Sequence, residues 1–307
     1  MDKRVQFDFE VQFLNGGGLQ GQGFRLDIDG DEIDDQELAD YIVRDLRLLM
    51  AGPVRILNKV ILDEPHKRKG SPSRSASSQY APSDDAAAAH ELLDLSHTIE
   101  AGMITYQGLP APIVCDFLSR ADSRAHYAPG TEFQIGRMEL VGNTGTYLDS
   151  PFHRFADGKD LSELELSRLT ELPGVVIRVT GMEGRAIGRS AVVATEVRGK
   201  AVLVHTGWAA HWRTDRYFEG HPFLTEDAAL YLRDAGAVLV GIDSLNIDDT
   251  DDGRRPVHTV LLGAGIPIVE HLRGLERLPI TGFRFSAVPV KIKGMGTFPV
   301  RAHAVIL

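Results

Sequence analysis

The sequence predicts an α/β protein in which a small α+β module precedes a larger domain of alternating strands and helices. Three observations carry that prediction. Residues 1–65 contain strands of alternating polarity and one amphipathic helix, residues 66–91 lose all apolar pattern, and from Leu92 onward short apolar runs alternate with helical stretches. A length of 307 residues exceeds the roughly 100–200 of one ordinary domain and leaves room for both parts.

Residues 5–14 alternate as a half-buried strand does, and residues 23–28 do so again after the glycine-rich NGGGLQGQG, so a hairpin with a long connection is expected. Asp34 or Asp35 can cap a helix whose Leu38, Ile42, Leu46 and Leu49 recur at helical spacing. Gly52-Pro53 stops that helix before a strand in VRILNKVIL, completing a β-β-α-β module. Residues 66–91, with HKRKGSPSRSASSQYAPSDDAAAA at their centre, have the Ser, Pro, Ala and charge content of a flexible linker. The HKRK cluster reads as solvated linker charge. From residue 92 to 307, strand-like runs such as ELVG, VVIRV, AVLVHTG, AVLVGID and FRFSAVPVKI alternate with the helical TEDAALYLRDAG and HLRGLERL. HAVIL reads as a final strand, and no solenoid-type repeat is present.

Composition narrows the function classes. With 43% hydrophobic and 25% charged residues the chain has ordinary globular usage. A net charge of −10 gives no general field for nucleic acid or anionic lipid. No apolar run reaches the roughly 18–20 residues of a membrane span. The start, MDKRVQFDFEVQF, alternates polarity and does not resemble a secretory leader. The single cysteine, Cys115, rules out an intrachain disulfide and fits a reducing compartment, so a cytoplasmic protein is expected, with Cys115 as a small buried side chain.

Several motifs match by spelling alone. Gly16, Gly18 and Gly21 satisfy G-x-G-x-x-G, but a phosphate-cradling loop must open a helix, and FRLDID reads as a strand. In DIDGDEIDD, counted from Asp27, Gly30 falls at the fourth loop position and Leu38 at the twelfth, where an EF-hand needs glycine at the sixth and a bidentate Glu at the twelfth. There is no G-x-S-x-G elbow and no Walker A sequence.

Chemistry concentrates in Asn143-Thr-Gly-Thr-Tyr-Leu-Asp149-Ser-Pro-Phe-His153, which follows the strand-like RMELVG. An Asp and a His four residues apart, stiffened by Pro151, suit metal ligation, an oriented acid/base pair or a hydrogen-bonded turn. The segment resembles the H-x-G-T-H-x-D-x-P-x-H signature of the kynurenine formamidase, isatin hydrolase and "cyclase" superfamily, with Gly145, Thr146, Asp149, Pro151 and His153 in register. The resemblance continues in LSHTIEAGMITYQGLP, LVHTGW, VGIDSLNID and PVHTVLLGAGIPIVEHLRGLERLP, and so spans about residues 92–307. It implies a swivelling β/β/α domain, homodimers or homotetramers, His153 as the acid/base group, and Tyr106 in the substrate pocket. It also implies metal ligation by Asp149 and by His258 with Glu270, twelve residues apart.

Two departures modify what the resemblance implies. Asn143 and Tyr147 stand where the signature has ligand histidines; an amide oxygen is a weak zinc ligand, and a phenol binds well only after losing its proton. Asp149, His258 and Glu270 remain, with Asn143 beside them, as a set for one divalent ion, zinc or manganese. The expected function is metal-assisted hydrolysis of a C–N amide or lactone bond in a small cyclic or aromatic molecule, without nucleic-acid or membrane partners. The alternatives are a metal-free cyclase or dehydratase of secondary metabolism using His153 and Tyr147, and a non-catalytic ligand-binding protein. His205, His211 and His221 lack a matched partner and read as structural or surface residues.

Overall fold

The computed structural model describes residues 3–13, 18–28, 30, 32–45, 51–63 and 91–307. The chain divides into two compact units, Met1–Ala87 and Ala88–Leu307.

The first unit is an antiparallel sheet ordered β2-β1-β3, built from β1 (Lys3–Phe13), β2 (Gly18–Ile28) and β3 (Ala51–Asp63), with one helix, α1 (Asp35–Asp45). The alternation of β1 does what its period requires: Val5, Phe7, Phe9 and Val11 are all buried, together with Leu38 and Ile42 of α1. Asp34 caps α1, its carboxylate accepting the Glu37 amide at 2.7 Å. The second strand begins five residues earlier than its polarity suggested. Glycine explains this, because a Cβ at Gly21 would lie 2.3 Å from the Phe9 ring, so the ring can cover that strand only where no side chain stands. Gly16, Leu46, Leu49, the HKRK cluster and all of the expected linker except Glu91 lie outside the described residues.

The second unit runs β4 (Glu91–Asp94), β5 (Ile113–Leu118), α2 (Arg120–Ser123), β6 (Ile135–Glu139), β7 (Tyr147–Asp149), β8 (Leu172–Arg178), β9 (Ala186–Ile187), α3 (Arg189–Val192) and β10 (Ala201–His205). It continues with β11 (Phe223–Leu224), α4 (Glu226–Ala235), β12 (Leu239–Ile242), α5 (Pro256–Gly263), β13 (Ile268–Glu270), β14 (Phe283–Ser286), β15 (Thr297–Pro299) and β16 (His303–Ile306). Nine of these strands form one sheet, ordered β15-β7-β13-β12-β10-β8-β14-β16-β4, parallel across β13-β12-β10-β8 and antiparallel on either side. This is the mixed α/β class expected.

The parallel centre is buried on both faces, which is why its strands read as continuous apolar runs. Along β10, Ala201 and Leu203 pack into one core with Phe283 and Phe285, while Val202 and Val204 face Leu232 of α4 and Leu261 of α5. Helix α4, expected in TEDAALYLRDAG, ends on Gly236 in the left-handed region at φ 89°. HLRGLERL does not form the expected helix. It holds a single 3-10 turn, Leu275–Arg277, because Gly274 at φ 72° breaks the helical path before it starts.

Cys115 also departs from expectation. It is exposed, since among the described residues β5 and β6 pair only with each other, and both are largely open to solvent. Among the described residues no helix is long and apolar enough to cross a membrane.

Candidate active site

Strand β7 lies between β13 and β15, and its register assembles the site. Tyr147 sits opposite Glu270, and Asp149 sits opposite Thr297, so each pair shares a face of the sheet. The Tyr147 hydroxyl accordingly donates to Glu270 at 2.5 Å, and the Thr297 hydroxyl donates to Asp149. Gly145 makes the turn before β7 at φ 65°, and a Cβ there would meet Ile99 at 2.9 Å. After Asp149 the chain enters a 3-10 turn, Pro151–His153, pre-set by proline at its first position. A Cβ on Gly296 would lie 2.4 Å from the His153 backbone nitrogen, so only glycine lets the strand bearing Thr297 pass this turn.

His258 arrives from the first turn of α5. Asp248 accepts the amides of Val257 at 2.7 Å and His258 at 3.0 Å, capping the helix, and takes the His258 Nδ1 proton at 2.6 Å. That hydrogen bond fixes the orientation of the ring and leaves Nε2 facing Asp149 Oδ2 at 3.7 Å and Glu270 Oε1 at 3.8 Å. Among the described residues, the buried Asp149 Oδ2 has no partner within hydrogen-bond distance. An orphaned carboxylate oxygen is costly unless something else, such as a cation, meets it. Donor atoms of Asp149, His153 and His258 all lie within 4.8 Å of one another. The 3.7 and 3.8 Å separations of His258 Nε2 from Asp149 and Glu270 suit atoms each about 2.0–2.2 Å from one ion, so these residues fit a divalent metal.

His153 differs from its neighbours in exposure, with 35% of its side chain accessible against none for Asp149. Its Nδ1 lies 2.7 Å from the Thr297 hydroxyl. The only hydroxyl proton of Thr297 goes to Asp149, so Thr297 accepts from His153, and Nδ1 carries the proton. Nε2 then presents its lone pair towards the cleft.

Electrostatics follow from burial and from the three carboxylates around His258. Burial alone would lower the pKa of His258, but the facing Asp149, Asp248 and Glu270 outweigh it and raise it to about 10, so without a cation the ring carries both protons, and a metal would take the place of the one on Nε2. Burial raises Glu270 to about 7, with the Asp149 charge adding to the rise and His258, Tyr147 and the Ile247 amide opposing it. Tyr106 and Tyr147 are held well above the ordinary phenol value, first by burial and then by the Glu270 charge, so both remain protonated at neutral pH.

A cleft of about 300 Å³ opens on this cluster, lined by Tyr106, Leu109, Asn143, His153, Arg154, Asn246, Arg255, His258 and Glu270. Of the residues expected from the sequence, Asn143, Tyr106, His153, His258 and Glu270 reach the cleft, and Asp149 lies directly behind it. Tyr147 is placed otherwise than the expected acid/base role requires: it is fully buried, and its one proton is given to Glu270. The metal-free alternative needed that hydroxyl as a donor to substrate. The Tyr106 hydroxyl donates to the Leu245 carbonyl at 2.6 Å and accepts from Asn246 at 2.8 Å, which leaves its ring to line the cleft.

His205 is buried against Arg178, His221 is buried on the Asp248 carbonyl, and His211 packs on Trp208, so all three lie outside the cluster. Asp248, Thr297 and Asn246 were not singled out in the sequence. Asp248 had one signal, a carboxylate ten residues ahead of His258; Thr297 had none, since it meets Asp149 only through strand pairing across 148 residues.

Residues 93–249, just over half of the chain, match the family model described as "Putative cyclase". This chain belongs to that cyclase family. The match includes Asn143, Tyr147, Asp149 and His153 and ends before His258 and Glu270. A kynurenine formamidase of Bacillus cereus is 28% identical over 169 residues, 55% of this chain and 78% of its own length. A solved structure titled as a potential metal-dependent hydrolase with cyclase activity is 26% identical, with a TM-score of 0.59 over 71% of this chain and 99% of that one. An isatin hydrolase bound to the product analogue thioisatinate shares the fold, with a TM-score of 0.60 and 22% identity over 71% of this chain and 92% of that one.

Proposed function

We propose that this chain is a metal-assisted hydrolase of a C–N amide bond in a small aromatic or cyclic substrate, and that it works as a homodimer or homotetramer. The observation that carries the reading is the orphaned, buried Asp149 Oδ2 facing His258 Nε2, with Glu270 beside them and His153 at the mouth. The kynurenine formamidase relatives and the metal-dependent hydrolase neighbour point to the same chemistry. The oligomer is supported by apolar side chains left in solvent on the β5–β6 hairpin.

Asp149, His258 and Glu270 would hold one divalent ion, zinc or manganese; such an ion lowers the pKa of water towards about 7 and polarises a carbonyl oxygen. His153 takes the proton of the attacking water at Nε2 and returns it to the leaving nitrogen. Its exposure suits that task, because a group that cycles a proton must exchange with solvent, whereas the three proposed ligands are buried. Thr297 orients the imidazole, and Asp248 keeps His258 in the tautomer whose Nε2 can bind. Tyr106 and Leu109 offer the substrate a ring face and an apolar side chain.

The test combines metal analysis of the purified chain with turnover of formanilides, cyclic imides and lactones. His153→Ala should keep its metal and lose at least about a hundredfold in kcat. Asp149→Asn should lose both metal and activity. Full turnover in His153→Ala, or a wild-type chain that hydrolyses no member of the panel with zinc or manganese supplied, overturns the reading.

A further inference from the structure

Two arginines, Arg154 and Arg255, line the cleft. Arg154 directly follows His153, and its Nε donates to the Thr259 hydroxyl at 3.2 Å. Arg255 stands three residues before His258, with NH1 on the Asp249 carbonyl at 3.0 Å. Among the described residues, neither guanidinium is within ion-pair distance of a carboxylate; Arg154 lies over the Phe155 ring at 5.3 Å, and the Arg255 charge acts on Asp252 from further away. Thr259 joins the two, because the hydroxyl that accepts from Arg154 donates to the Arg255 carbonyl at 2.8 Å. Both cations are therefore fastened to the elements that carry His153 and His258.

The backbone at Arg255 is informative as well. It caps α5 in the left-handed region, at φ 50° and ψ 59°, immediately before Pro256. A non-glycine residue is uncommon there, and such conformations persist where the surroundings hold them. This one keeps a half-buried arginine at the cleft wall. A guanidinium has five donors in a planar fork that matches a carboxylate, and Arg154 and Arg255 each spend only part of that fork on neutral oxygens.

We infer that Arg154 and Arg255 form an anion subsite and that the preferred substrates are aromatic amides bearing a carboxylate near the scissile bond. This rests on the hydrolase reading and specifies the substrate class of the same cleft.

The test compares kcat/KM for formanilide with that for its ring-carboxylated analogue, N-formylanthranilate, in the wild-type chain and in Arg154→Gln, Arg255→Gln and Arg255→Lys. Wild type should favour the carboxylated substrate by about tenfold or more. Each glutamine variant should bring the ratio close to one, and Arg255→Lys should restore part of it. Calorimetric binding of anthranilate against aniline to the full-length chain reads the subsite without turnover, so it stands even if the hydrolase reading fails. A preference for anthranilate that disappears in the glutamine variants supports the subsite. A wild type without preference in either measurement overturns it, as does a preference that both glutamine variants retain, because the carboxylate would then be held elsewhere, for instance on a metal. Unchanged thermal melting of the variants separates loss of the subsite from loss of fold.

Discussion

Thr297 shows what one side chain does here that no local motif announces. Its hydroxyl donates to Asp149 and accepts from His153, so it links the residue proposed to hold a metal with the one proposed to move a proton. Thr297→Val keeps the shape and removes both hydrogen bonds. It should lower kcat/KM by about 10- to 100-fold while leaving the fold intact, the range found for groups that orient metal ligands and bases. Asp248→Asn should cost about 10- to 100-fold in metal affinity, measured by competition with a chelator, because an amide can present a proton to Nδ1 and favour the wrong His258 tautomer. Asp149, His153, His258 and Glu270 were legible in the sequence because they lie in recognisable blocks, whereas Thr297 and Asp248 act through pairings that only the fold creates. His97 adds a pH dependence. It stacks on Trp212 with ring centroids 3.9 Å apart, and burial followed by the Arg273 charge lowers its pKa from 6.5 to about 4. A histidine kept neutral by the fold contributes stability in full above 6.5, and that contribution is lost progressively from 6.5 down through about 4. His97→Phe keeps an aromatic ring against Trp212 and cannot titrate. Its drop in Tm between pH 7 and pH 5 should be smaller than that of the parent, and equal drops would remove His97 as a source of acid sensitivity.

The elements were legible where one pattern decided them. Strand β1 alternates, β8, β10 and β12 are apolar on both faces, α4 has its terminal glycine, and each forms where the sequence put it. Pattern failed where a long-range contact or one backbone angle took over, as with the Phe9 ring over Gly21 and with Gly274 ahead of the 3-10 turn. Strand β7 is the extreme case: three residues, framed by β13 and β15, whose register alone brings Tyr147 to Glu270 and Asp149 to Thr297. Two substitutions separate the scaffold from the site. Leu203→Ala in the fully buried β10 should cost about 2–5 kcal/mol in denaturant unfolding with little change in kcat/KM, because the cavity forms in a core away from the cleft. Gly296→Ala puts a methyl 2.4 Å from the His153 nitrogen, against backbone that cannot swing aside. It should depress activity by more than its effect on Tm would explain, and a variant with unchanged turnover would show that β15 and the His153 turn tolerate displacement.

At the scale of the whole molecule, the outlying feature is the pair β5–β6. Among the described residues its two strands bond only to each other, and Val114, Phe117, Ile135 and Met138 are 47, 74, 47 and 55% exposed. Tyr127 and Phe133, on the segment joining the strands, are also exposed and stack edge-on with centroids 5.0 Å apart. A two-stranded ribbon is marginal by itself, and a cluster of apolar side chains in water favours association. The sequence announced neither property, because an exposed apolar strand and a buried one have the same composition. A two-fold interface would use the same patch on both protomers. Each Phe or Met buried there is worth roughly 1.5–3 kcal/mol, so replacing two per protomer should weaken association by more than about a hundredfold. Light scattering on the full-length chain at micromolar concentration should therefore give the mass of a dimer or tetramer, and Phe117→Asp combined with Met138→Asp should give that of a monomer. The two side chains contribute nothing to the packed cores, so circular dichroism of the double variant should match the parent. A monomeric parent would remove the case for self-association, and an oligomer that survives both substitutions would place the interface on another surface.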